Sequence, residues 1–243
     1  MIGVTQLLSK PLFPIVAGET DPFGDNSLKS FYRFDNNFND DSGNNYNGTG
    51  EAGLTFHASV KKVGTHSIIN VGDATNRQFT LPNNLQANET VTFWIYLYNG
   101  SGDDYWRIWE KHTGTYQFLS FFMYNIGGVT SVGAQIRGST SSNYRYTFQN
   151  VSFSVNTWNF VSYRYSSSGT HHFSLNGGTE LQLASSNAAG GAPPVPATST
   201  KTVGQTYSNG TTYTGSRFYM DHYRAFNRTL TQSEITQLYN EHA

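Results

Sequence analysis

The sequence predicts an all-β protein, a two-sheet antiparallel sandwich of the jelly-roll type that ends in one short C-terminal helix. Two observations carry the strands. Only 13% of the 243 residues are charged while 15% are aromatic, with 17 Phe, 16 Tyr and 24 Gly, a mixture suited to twisted strands joined by tight turns. From Ser30 onward, short apolar or aromatic runs alternate with clusters of Asn, Gly, Ser and Asp at the spacing of sheet proteins. A third observation supplies the helix, because capping signals occur together at one place only, near the C-terminus.

In chain order, residues 1–27 contain Pro11, Pro14, Pro22 and three Gly without sustained periodicity, and are expected to form an extended arm ahead of a domain spanning 28–243. Strands are expected at Phe31–Phe34, His66–Val71, Val91–Tyr98, Trp106–Glu110 and Gln117–Tyr124. Others are expected at Tyr144–Phe148, Trp158–Tyr165, His171–Leu175 and Arg217–Phe226. Val91–Tyr98 is the clearest of them. It places Val91, Phe93, Ile95 and Leu97 on a core face, and Thr92, Trp94, Tyr96 and Tyr98 on a face that lines a groove or packs under loops. Asn176-Gly177-Gly178 supplies the positive φ angles of a tight hairpin. Residues 184–200, with Gly190-Gly191-Ala192-Pro193-Pro194-Val195-Pro196, read as a small-residue and proline loop. The helix follows Thr231 and Glu234, a T-x-x-E capping box with Leu230 and Ile235 as a hydrophobic staple. Ile235, Leu238 and Tyr239 share one face, so this helix lies flat on the sandwich.

Composition excludes several classes. With 15 basic and 16 acidic side chains, net −1, no field draws a polyphosphate backbone, and nucleic acid is not an expected partner. The absence of Cys removes disulfides and thiolate metal sites. Met1–Gly18 has its first Lys at Lys10 and two prolines in what would be a signal core, so no signal peptide is read. No run approaches the ~20 apolar residues of a membrane helix, and no membrane insertion is expected.

Four stretches, in order, resemble the laminin G-like branch of the concanavalin A-like lectin/glucanase superfamily. Tyr32-Arg33-Phe34-Asp35 with Asp41-Ser42-Gly43-Asn44 is similar to the family's first strand and turn, and Thr90–Ile95 to its central tryptophan strand. Thr157–Val161 followed by Leu175-Asn176-Gly177 resembles its Asn-Gly hairpin. The run from Met220-Asp221-His222-Tyr223-Arg224 to Leu238-Tyr239 resembles its closing strand and helix. The resemblance implies a concanavalin A-like jelly-roll. It also implies a structural calcium held by Asp35 or Asp41 with Asp221; carboxylates suit that ion, although Asp and Asn cap turns in the same way. Asp21-Pro22-Phe23-Gly24-Asp25 is similar to laminin G-like domains carried by tailed-phage virion proteins.

Hydrolytic members of that superfamily use two carboxylates a few ångströms apart, usually on alternate residues of one strand, and no predicted strand has Glu or Asp at i, i+2 or i, i+4. Glu110, near Trp106 and Trp109, is the best place for an acid, but the sequence shows no second carboxylate to work with it, so no catalytic residue is assigned and no enzyme is expected. His171 and His172 point to opposite faces of a strand and cannot chelate one ion together. For sugar binding, Asp104, Tyr105, Trp106 and Trp109 combine stacking faces with polar groups. The Trp94, Tyr96, Tyr98 face offers the same chemistry. The expected function is a non-enzymatic structural or accessory virion protein, a capsid decoration or tail component on the phage particle surface. Its partners would be other virion proteins and copies of itself. The alternative is a lectin-like module recognising a host surface glycan, and the minority reading is a glycanase or polysaccharide lyase.

Overall fold

The computed structural model describes residues 21–51, 54–70, 78–82, 88–98, 104–112, 118–137, 144–165, 170–189, 200–208, 211–214 and 217–243. The chain opens with strands β1 (Leu28–Tyr32), β2 (Thr49–Gly50), β3 (Thr55–His57), β4 (Ser67–Asn70) and β5 (Phe79–Leu81). Long strands follow: β6 (Thr90–Leu97), β7 (Asp104–His112), β8 (Phe118–Ile126), β9 (Val129–Arg137), β10 (Tyr144–Asn150) and β11 (Trp158–Tyr165). Next come β12 (His171–Leu175), β13 (Leu181–Gln182), β14 (Ala184–Ala189), β15 (Thr200–Val203), β16 (Gln205–Ser208) and β17 (Thr211–Thr214). Strand β18 (Phe218–Phe226) and helix α1 (Gln232–Asn240) close it.

Two antiparallel sheets result. The first has the order β13-β12-β11-β6-β18-β4-β3, with β1 beside the second half of β18, and the second has the order β14-β10-β9-β8-β7-β15-β5-β2. Period-two alternation builds the space between them. Val91, Phe93, Ile95 and Leu97 of β6 face Trp106, Trp109, Phe121 and Met123 of the second sheet, and all are buried. At about 25 cal/mol per Å2 of apolar surface, aromatic side chains of this size dominate that core.

The outer face of the first sheet carries a second, smaller core. Trp94, Phe160 and Phe226 are covered there by Ile235 and Leu238 of α1, with Leu230 completing the staple. The expected capping box is formed: Thr231 Oγ1 accepts from the Glu234 N–H, and Glu234 Oε2 accepts from the Thr231 N–H at 2.7 Å.

Two segments differ from the sequence reading. Of the expected arm, residues 1–20 lie outside the described residues, and 21–27 form a turn instead of an extended strand. Asp21 accepts from the N–H groups of Phe23 and Asn26, and the Phe23 ring packs on Phe226 at 5.5 Å, so this end of the expected arm is folded onto the first sheet. Of the expected 184–200 loop, 190–199 lie outside the described residues, whereas its two ends are strands. β14 pairs with β10, and β15 enters the sheet between β5 and β7. Backbone pairing holds both strands, and the small residues of β14 leave no side-chain pattern to read.

Candidate functional site

The stretch expected to bind sugar divides at a bulge. Asp104, Trp106 and Ile108 point inward and Tyr105 and Arg107 outward, until a register shift between Arg107 and Trp109 sends Trp109 inward as well. Trp106 is 0% exposed and donates Nε1–H to the Arg217 carbonyl at 3.1 Å; Trp109 is 2% exposed and donates to the Tyr223 hydroxyl at 3.0 Å. Both expected platforms are therefore core residues with satisfied indoles, and neither presents a face to a sugar. Asp104 is buried as well. Tyr105 alone of the four stands on the outer face, stacked on Phe122 and Tyr124 with Arg107 over its ring. Glu110 is buried opposite Ser120 and Thr202.

Of the three aspartates expected to hold calcium, Asp35 and Asp221 serve the 58–66 loop and Asp41 pairs with Arg33. Asp221 sits at a bulge in β18, where His222 takes φ 48, and its Oδ2 accepts from the Lys62 and Val63 N–H groups at 2.9 and 3.0 Å. Burial pushes its carboxyl up to about 7 against those hydrogen bonds. Asp35 is also raised by burial, but donors outweigh it: Oδ1 accepts from the Thr65 N–H and hydroxyl and from the His66 N–H, and the carboxyl lies below the usual range. Asp41 is raised by burial and faces Arg33 at 3.7 Å. Among the described residues no group of three His, Cys, Asp or Glu side chains is placed to hold a metal ion. The donor set does not fit a calcium site; it pins a loop to the sheet.

The open aromatic surface lies elsewhere, on the outer face of the first sheet. The register aligns Trp158 of β11, Tyr96 of β6 and Tyr219 of β18 in one row across three strands. Tyr96 meets Trp158 edge to face at 5.8 Å and Tyr219 at 5.6 Å, and His57 meets Tyr219 at 5.1 Å. Tyr98, 42% exposed, continues the β6 side of the row, and the Arg217 guanidinium lies 4.9 Å over its ring while donating to the Tyr219 hydroxyl. Tyr96, Trp158, His57 and Arg217 are half-buried, and Tyr219, between Tyr96 and His57, is buried. One row up, the same face closes, because Trp94 is covered by Tyr239 of α1 and by the Lys62 ammonium at 4.0 Å. Alternation in β6 made Tyr96 and Tyr98 legible. Trp158, Tyr219, Arg217 and His57 join them only through strand order.

A polar group inside the sandwich went unread in the sequence. Lys201 of β15 is fully buried 3.3 Å from Glu89, and the Tyr163 hydroxyl meets His171 Nδ1 at 2.8 Å. Burial drives the Tyr163 and Tyr223 phenols well above their ordinary range, with Glu89 adding to both. His171 and His172 do face opposite sides, the second lying beside Arg164 and Glu180.

Residues 71–236 match the Laminin_G_3 family, and the chain belongs to this branch of the concanavalin A-like lectin/glucanases superfamily. No curated protein matches. The botulinum neurotoxin serotype D binding domain superposes with a TM-score of 0.61 at 15% identity, covering 88% of this chain and 52% of that one. The binding domain of botulinum neurotoxin DC in complex with SialylT gives 0.61 at 14% identity, covering 90% and 52%. The binding domain of Paraclostridial Mosquitocidal Protein 1 gives 0.58 at 12%, covering 88% and 52%. These likenesses establish a shared fold, and the chain spans about half the length of the solved domains it matches.

Proposed function

We propose that this laminin G-like domain is a glycan-binding module and that sugar stacks on Trp158 and Tyr96 and on Tyr98 beside them. The observation that carries the reading is the open aromatic surface with a cation and an imidazole at its edge. Pyranose rings present C–H faces that pack on aromatic rings, while their hydroxyl and carboxylate groups need donors and acceptors. Arg217 and the phenol hydroxyls supply those groups, and the β-sheet beneath holds them in fixed register. The fold relation to toxin binding domains, one of them solved with SialylT, supports a binding role.

The test is a glycan array followed by titration calorimetry with any glycan that binds. Trp158→Ala and Tyr98→Ala should each weaken binding about tenfold, the weight of one lost stacking contact, with the thermal melt checked in parallel. Binding that survives both substitutions, or a blank array, ends this reading. The expectation of a virion building block rested on the arm at 1–27, the loop at 184–200 and the likeness of Asp21–Asp25, and of these residues 1–20 and 190–199 lie outside the described residues. Oligomers that assemble on phage particles but bind no glycan would restore it.

A further inference from the structure

Strands β8 and β9 are joined by Gly127-Gly128 at φ 57 and 79, the two left-handed positions of a tight turn that closes a rigid hairpin. Ile126 and Val129 flank the turn as a cross-strand pair on the outer face of the second sheet, 48% and 51% exposed. Period two extends that face away from the tip. The next row holds Tyr105, Tyr124 and Ser131, and the row behind it Arg107, Phe122, Gly133 and Phe148. The Phe122 ring lies over Gly133, where a Cβ would strike it, and Phe148 beside them is 43% exposed. Of the five large hydrophobic residues exposed among the described residues, three stand on this one face, so the exposure is a patch and not scatter.

The order of side chains matches the layers of a membrane surface. At ~3.4 Å per residue the tyrosine row lies about 7 Å behind the aliphatic tip and Arg107 about 14 Å behind it. Elements that lie at an interface bury their apolar part by about 5–10 Å, with tyrosines at the headgroups and cations near lipid phosphates. Asp104, which pairs with Asn125 next to the tip, is buried on the opposite face and so puts no carboxylate against the lipid. No helix among the described residues is long and apolar enough to cross a membrane. We infer that the β8–β9 hairpin docks the domain on an anionic lipid surface, inserting Ile126 and Val129 between headgroups with Arg107 facing phosphate.

Co-sedimentation of the full chain with vesicles tests this, and since neither vesicle carries a glycan, its outcome is separate from that of the sugar reading. Vesicles of phosphatidylcholine with phosphatidylserine should carry the protein down, those of phosphatidylcholine alone far less, and added salt should release it. Ile126→Asp with Val129→Asp should cut binding by about tenfold or more at an unchanged melting temperature. Arg107→Gln should lower binding to the anionic vesicles only. Ile126→Trp should shift its fluorescence to the blue on insertion. The inference falls if the wild type stays in solution with both vesicles, or if the double variant sediments as well as the wild type. It falls equally if the double variant abolishes self-association in analytical ultracentrifugation while vesicle binding is absent.

Discussion

Strands β6 and β7 carry the same kind of sequence and do opposite things with it. Each alternates bulky aromatic residues with others, yet β6 turns Trp94, Tyr96 and Tyr98 outward, whereas β7 turns Trp106 and Trp109 inward. Alternation says that two faces exist, but which one meets the other sheet depends on the rest of the strand. In β6 the intervening residues are Val91, Phe93, Ile95 and Leu97, an apolar set that leaves no choice. In β7 they are Tyr105 and Arg107, and Arg107 cannot enter the core unpaired. The tryptophans must therefore enter, and the bulge at Ile108 lets two successive residues do so.

The sharpest way to break this contrast is to truncate one ring on each strand. Trp106→Ala should destabilise the fold by about 3–5 kcal/mol in urea unfolding, since it leaves a cavity and leaves the Arg217 carbonyl with the Tyr98 N–H but without the indole. Tyr98→Ala should stay within about 0.5 kcal/mol while weakening glycan binding. Equal stability losses at both sites would mean that the two outer faces have been misassigned.

The interior beside β7 offers a second, comparably large effect. Lys201→Ala removes one partner of the buried pair with Glu89 and should cost about 3 kcal/mol. Lys201→Met combined with Glu89→Leu should recover much of that, because a matched apolar pair strands no charge. A double variant no better than the single one would show that the pair's other neighbours carry the ammonium.

What could be read in the sequence divides along the same line. The β6 strand, the Asn176-Gly177 turn and the Thr231–Glu234 cap were legible because each is a local pattern with a local cause. Strand β9 was not, since Val-Thr-Ser-Val-Gly-Ala-Gln-Ile-Arg holds too few bulky residues to announce a strand; Gly133 is small because Phe122 lies on it. Strand β15 was not either, for Lys201 in a core strand contradicts every pattern, and the Glu89 carboxylate that faces it lies more than a hundred residues away. The candidate site was half legible. Tyr96 and Tyr98 belong to an alternation already visible, but Trp158 and Arg217 reach them through a strand order that no short stretch encodes.

The outer face of β6 is itself divided, and the smallest prediction probes the boundary. Helix α1 covers Trp94 and stops short of Tyr96, so weakening the helix should loosen the covered half and leave the aromatic row intact. Glu234 is the place to act. Its hydrogen bonds from Arg228, joined by those from Thr231, outweigh burial and hold its carboxyl down at about 2, against 4.5 when free. A carboxyl lowered in the folded state adds stability that is complete above pH 4.5 and disappears as the pH falls toward 2. Glu234→Gln should therefore cost about 1 kcal/mol or less at neutral pH, as partly exposed pairs and caps do. It should also flatten the loss of stability between those two pH values. Quenching by iodide should then rise at the cover over Trp94 while glycan affinity stays at the wild-type value; an affinity that fell with the helix would place α1 inside the binding surface.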